Sequence, residues 1–159
     1  MIVHLSLLFV SFTGCQHSSS VPPTPPVENA QQYIPADLTG NGDDELIAIK
    51  DGTIHWSGEQ HTIDGGLLFH RVGRLANDKH ESVVLVTGRN RLNPKALPTV
   101  TLLKEGKATL LYIGKSLAER ISDIRIESRG IFVTRVGTDK IARGGWLKDG
   151  RFSEEAQAV

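Results

Sequence analysis

The chain encodes an all-β domain, an antiparallel meander of hairpins, and three observations predict it. Apolar residues recur with a period of two rather than 3.6 through most of the sequence after residue 33. The apolar runs are short, rich in Val, Ile, Thr and Leu, and end in Gly, Asp or Asn, the residues that close tight turns. No stretch has the length and period of an amphipathic helix; the one helix candidate is a short turn near Ser116 to Arg120.

The strands follow in order. Glu45 to Lys50 (ELIAIK), Leu67 to Val72 (LLFHRV), Ser82 to Thr87 (SVVLVT), Thr99 to Lys104 (TVTLLK), Ala108 to Ile113 (ATLLYI), Ile121 to Ile126 (ISDIRI) and Ile131 to Val136 (IFVTRV) each read as a strand. In IFVTRV one face carries Ile131, Val133 and Arg135, and the other carries Phe132, Thr134 and Val136. ISDIRI breaks the alternation, with Ile121, Ile124 and Ile126 separated by unequal steps. The turns agree. Asp51-Gly52, Glu105-Gly106, Gly130 and Asp149-Gly150 sit between strands, and glycine supplies the positive φ that short hairpins need. The expectation is a meander of about eight to ten strands.

Charge excludes some partners. Lys plus Arg and Asp plus Glu are both 18, so the net charge is zero. No basic field gathers nucleic acid, and no polybasic run holds the chain to a membrane. The one cysteine, Cys15, cannot form an internal disulfide.

Position explains that cysteine. The chain opens MIVHLSLLFVSFTGC. Ile2 to Phe12 is an apolar run of signal-peptide length, too short for a spanning helix of about 20 residues. Thr13 and Gly14 are small and precede Cys15 directly. This resembles the lipobox of bacterial lipoproteins, although Phe12 stands where Leu is usual and no Lys or Arg precedes it. The resemblance implies removal of residues 1–14, lipid on Cys15, and a membrane-anchored product. Gln16 is not the Asp that marks inner-membrane retention, which points to the outer membrane, facing the periplasm or the cell surface. Residues 15–32 (CQHSSSVPPTPPVENAQQ) then form a Ser/Pro-rich tether. Extended at about 3.1 Å per residue, it holds the domain some 40–50 Å from the lipid. Residues 33–159 form the β-rich domain.

One segment carries chemistry. Asp37 to Glu45 reads DLTGNGDDE and leads straight into a strand. Oxygen-bearing side chains stand at Asp37, Thr39, Asn41 and Glu45, with Gly42 directly after Asn41. Alternating oxygens followed by a glycine suit a hard cation such as Ca²⁺, because the loop wraps the ion and glycine allows the sharp turn. The carbonyl of Asp43 adds a further oxygen. An EF-hand would need Glu at the twelfth place, which is Ala48. The loop resembles that of FG-GAP and VCBS repeats, the units of integrin-like β-propellers. Asp37, Asn41 and Glu45 match in chemistry, Gly42 and Leu46 match the turn and the strand, and Thr39 replaces the usual Asn or Asp. The resemblance implies propeller-like blades and a calcium site. With two anionic side chains the site would be weak, about 0.1–1 mM.

A decayed copy starts at Arg74 (RLANDKHESVVLV), offset by about 37 residues. There Arg74 stands at the Asp37 place, and Asp78 alone keeps a ligand oxygen, facing Asn41. A third unit spans Ile121 to Trp146. About three blades are too few to close a propeller. The expected architecture is an open stack, a sandwich or a barrel.

Other features carry less. His55 and His61 could face each other across a hairpin, but no third zinc ligand accompanies them. No nucleophile elbow, P-loop or dinucleotide fingerprint occurs. Trp56 and Trp146 read as packing residues, and the basic loop holding Arg89, Arg91 and Lys95 reads as solvated. The function expected is a non-catalytic envelope lipoprotein that binds a protein or glycan partner. The alternative is an enzyme, or an enzyme accessory or inhibitor, acting on envelope polymers. An enzyme would need a cleft with two convergent carboxylates away from Asp37.

Overall fold

The computed structural model describes residues 30–56, 58–148 and 151–154. The signal peptide, Cys15, nearly all of the tether and the Asp149-Gly150 turn lie outside the described residues.

Twelve strands occur among the described residues, in three meanders of four. The first sheet is β1 (Gln32–Ala36), β2 (Glu45–Lys50), β3 (Thr53–Trp56) and β4 (Glu59–Thr62). The second is β5 (Gly66–Gly73), β6 (Ser82–Gly88), β7 (Thr99–Lys104) and β8 (Lys107–Ile113). The third is β9 (Arg120–Glu127), β10 (Gly130–Val136), β11 (Ala142–Lys148) and β12 (Arg151–Glu154). Every neighbouring pair is antiparallel and consecutive in the chain. The all-β blade-like meander therefore holds, and no sheet closes into a barrel. The strand count exceeds the expected eight to ten. The extra strands are short and weakly patterned: β1 reads QYIPA, with a proline inside it, and β4 reads EQHT, with no apolar alternation to reveal it. The expected helical turn at Ser116 to Arg120 is a non-helical turn, closed by Glu119 N–H donating to Ser116 O at 3.2 Å.

The second sheet is the middle layer. Its strand β6 is buried along its whole length, and successive side chains point to opposite faces. Val83 and Leu85 join Leu103 in a core shared with Ile34, Ile47, Ile54 and Trp56 of the first sheet. Val84 and Val86 join Val100 and Tyr112 in a core shared with Ile121, Ile124, Ile131 and Val133 of the third. That double burial explains why β6 reads as an unbroken apolar run rather than an alternation.

Three bulges set the side-chain directions. At Ser122 the ladder skips a residue, and its hydroxyl donates to Thr134 O at 3.1 Å. This extra residue is the irregular step seen in ISDIRI, and it returns Ile121 and Ile124 to one face. Similar shifts occur at Leu68 in β5 and Leu111 in β8.

Candidate functional site

The Asp37 loop folds around its first carboxylate. Asp37 is buried, and its Oδ1 accepts from Gly40 N–H at 2.6 Å and Asn41 N–H at 3.1 Å. Oδ2 accepts from Gly42 N–H at 3.1 Å. Both glycines have positive φ, which lets the chain turn tightly enough to aim these groups inward. Glu45 Oε2 accepts from Leu38 N–H at 2.7 Å, and Asn41 Oδ1 accepts from Asp43 N–H at 2.8 Å. Thr39, Asn41 and Asp43 are exposed. The loop thus gathers the Asp37 and Glu45 carboxylates around its own backbone. Among the described residues no three His, Cys, Asp or Glu side chains group as a metal site. The expected calcium set holds only two such side chains, Asp37 and Glu45, and relies on Thr39, Asn41 and the Asp43 carbonyl for the rest.

The two loops of the proposed repeat lie against each other. Glu81 N–H donates to Asp37 O at 2.6 Å, and Asp37 N–H donates to Glu81 Oε2 at 3.0 Å. Arg74 Nη2 stands 3.7 Å from Asp37 Oδ2. Asp78, the side chain expected to keep a ligand oxygen in the second loop, pairs with Lys104 at 2.9 Å.

A cleft of about 630 Å³ opens where β8 and β12, the last strands of the second and third sheets, run side by side. Its lining holds three cations (Lys115, Arg135 and Arg151), the apolar side chains Leu110, Leu111, Ile113 and Phe152, the ring of Tyr112, and no carboxylate. Leu110 and Ile113 are half exposed. Arg135 is the chemically distinctive member, because it lies on the inward face of β10 opposite Ile121. Its guanidinium stacks 4.1 Å from the Phe152 ring centroid, donates to Tyr112 Oη at 3.2 Å, and donates to Glu154 Oε1 at 2.9 Å. Behind it the Tyr112 hydroxyl donates to the buried carboxylate of Glu119, which also accepts from Lys115 N–H at 3.1 Å. Burial, followed by the hydrogen bond to Glu119, raises the Tyr112 pKa; Arg135 opposes this. Burial pulls the Arg135 pKa down, but its bonds to Tyr112 and Glu154 outweigh it and leave the guanidinium more firmly charged than usual.

A second cleft, of about 500 Å³, lies at one end of the first two sheets. Asp51 and Asp64 both line it, beside Asn90, Leu92 and Asn93 of the basic loop. Asp64 accepts from the Asn93 side-chain amide, and Asp51 Oδ1 accepts from Gln31 Nε2 at 3.4 Å. Both carboxylates are exposed, as are Arg89, Arg91 and Lys95.

The histidine pair does not assemble. His61 lies opposite the buried Ile54, whereas His55 lies opposite Gln60, so the two rings point to opposite faces of the first sheet. Trp56 is core, as expected. Trp146 instead packs on the outer face of the third sheet, edge-on to Phe132 at 5.0 Å and under the Arg129 guanidinium at 3.8 Å. The Arg135 cluster escaped sequence reading although its signal was visible: a charged residue on the apolar face of IFVTRV. Compared with known proteins, the chain matches no family model, no curated protein and no solved structure.

Proposed function

We propose that this chain is a non-catalytic interaction module, held at a membrane surface by lipid on Cys15, which engages a protein partner through the cleft along β8 and β12. The single observation that carries the reading is the cleft's lining, where Lys115 and Arg151 stand beside exposed apolar side chains, Arg135 being already paired with Glu154. Such a surface selects an anionic, partly apolar ligand. Both flanking strands are sheet edges, and an edge strand offers unpaired backbone groups to an extended segment. The partner is therefore an extended acidic segment with apolar side chains. A tether of Ser and Pro would present the cleft away from the lipid.

Two measurements test this. A photo-crosslinking residue at Leu110 or Ile113 of the full chain, expressed in its own envelope, should capture one defined protein. Charge reversal by Lys115→Glu with Arg151→Glu should abolish that adduct without changing the melting temperature. No adduct, or an adduct indifferent to the reversal, would reject the cleft. Separately, a clickable fatty acid should label the wild type and not Cys15→Ser; an unlabelled wild type would reject the anchor.

One observation favours the enzymatic alternative, the presence of both Asp51 and Asp64 in the lining of the second cleft. Hydrolysis of isolated envelope polymer that is lost in both Asp51→Asn and Asp64→Asn would move the function there.

A further inference from the structure

We propose that Arg74 is the resident cation of the Asp37 loop, taking the place in its charge balance that calcium takes in the loops it resembles, so that the domain folds independently of calcium.

The Asp37 side chain is only 7% exposed. A carboxylate removed from water needs hydrogen bonds and an opposite charge. The hydrogen bonds come from the amides of Gly40, Asn41 and Gly42. The charge comes from the guanidinium 3.7 Å from Oδ2. Its source is the second loop, and Arg74 occupies the position that aligns with Asp37 itself. One copy of the repeat keeps the anion and the other supplies the cation. The reciprocal bonds between Asp37 and Glu81 hold the two loops in this register. Gly40 adds to the fit, because a Cβ there would stand 3.0 Å from the carbonyl carbon of Lys79.

A calcium ion would have to bind Asp37 at about 2.3–2.6 Å. It would then sit beside a guanidinium already drawn to the same oxygen, and like charges at that range repel. Two of the other candidate ligand oxygens, Glu45 Oε2 and Asn41 Oδ1, each already accept a backbone amide. Asp37 itself thus has its hydrogen bonds and its counter-charge from residues of this chain.

Thermal unfolding of the full chain in EDTA and in about 5 mM calcium, above the range of weak extracellular sites, tests the assignment. The wild type and Arg74→Lys should melt at the same temperature in both. Arg74→Gln should melt about 2–4 °C lower in EDTA, the scale of a partly exposed ion pair. Arg74→Asp should melt lower still in EDTA and recover in a saturable way with calcium. A calcium-dependent rise in the wild type would overturn the proposal. So would an Arg74→Gln protein as stable as the wild type in EDTA, or an Arg74→Asp protein indifferent to calcium. If Arg74→Asp fails to fold, the wild-type and Arg74→Gln measurements decide alone. None of these outcomes depends on the β8–β12 cleft.

Discussion

The two faces of the middle sheet bury different chemistry. Toward the first sheet, Val83, Leu85 and Leu103 meet Ile34, Ile47, Ile54 and Trp56, and the buried polar side chains of the middle sheet on that face, Thr87 and Thr101, are uncharged. Toward the third sheet, Val84, Val86 and Val100 meet Ile121, Ile124 and Val133. At the β8 end this second seam turns polar, with Glu119 buried, Tyr112 bonded to it, and Arg135 reaching inward from β10. A seam without buried charge, the dry one, can pack its middle on apolar contact alone. A seam edged with a charged network cannot collapse onto apolar atoms without orphaning those charges. The cleft of about 630 Å³ runs along this polar margin, whereas the first seam opens at one end, beside Asp51 and Asp64.

The largest expected effects test whether the seams share one fold. Leu85→Ala, in the dry seam, should cost about 2–5 kcal/mol in chemical denaturation, and Ile124→Ala in the other seam a similar amount. Since β6 serves both cores, each variant should shift a single cooperative transition. An Ile124→Ala protein that unfolds in two steps would break the comparison, showing the third sheet to be a separate unit.

Next comes the polar margin. Arg135→Met should cost about 2–3 kcal/mol, because Glu119 keeps its buried charge and loses a cation. Pairing it with Glu119→Gln should recover part of the loss, and a double-mutant cycle measures the coupling. A neutral Arg135→Met would mean that the second seam is as indifferent to charge as the first. Outside both seams, Gly144→Ala should cost about 1–2 kcal/mol, since its Cβ would meet Phe132 Cζ at 2.5 Å on the outer face of the third sheet.

Legibility in the sequence divides along the same line. Strands with clean alternation or continuous burial (ELIAIK, SVVLVT, TVTLLK) were readable because one residue type dominates each face. β1 and β4 were not, because QYIPA and EQHT lie at sheet edges, where burial selects fewer of their side chains. The Asp37 loop was readable as a tight glycine-bearing loop expected to hold calcium, but not as one that folds its amides onto a single carboxylate. Its neighbour was not. That Arg74 approaches Asp37 depends on how two loops 37 positions apart pack, and no local pattern encodes that contact. The cleft was the least visible feature, since Tyr112, Glu119 and Arg135 meet only when β8 is laid across the third sheet.

The smallest effects come from protons, and they sharpen the contrast because the seams should respond in opposite directions. His70 lies opposite Leu85, so it faces the dry seam, where Gln32 Nε2 approaches its Nδ1 at 3.4 Å. Burial, with a further push from the Arg71 cation, lowers its pKa. A lowered value means the fold prefers the neutral ring. Its contribution is complete above the ordinary histidine value of about 6.5 and fades as pH falls through that value toward the lowered one. Tyr112 is raised, so the fold prefers the protonated phenol. Its contribution is complete below the ordinary value of about 10 and fades as pH rises through the raised one. His70 is half-buried and Tyr112 buried, and each effect is expected to stay at about 1 kcal/mol. Denaturation midpoints across pH should therefore fall at both ends. His70→Gln should flatten only the acid limb, and Tyr112→Phe only the alkaline one. If either substitution flattens the opposite limb, the titrating groups do not belong to the seams assigned to them.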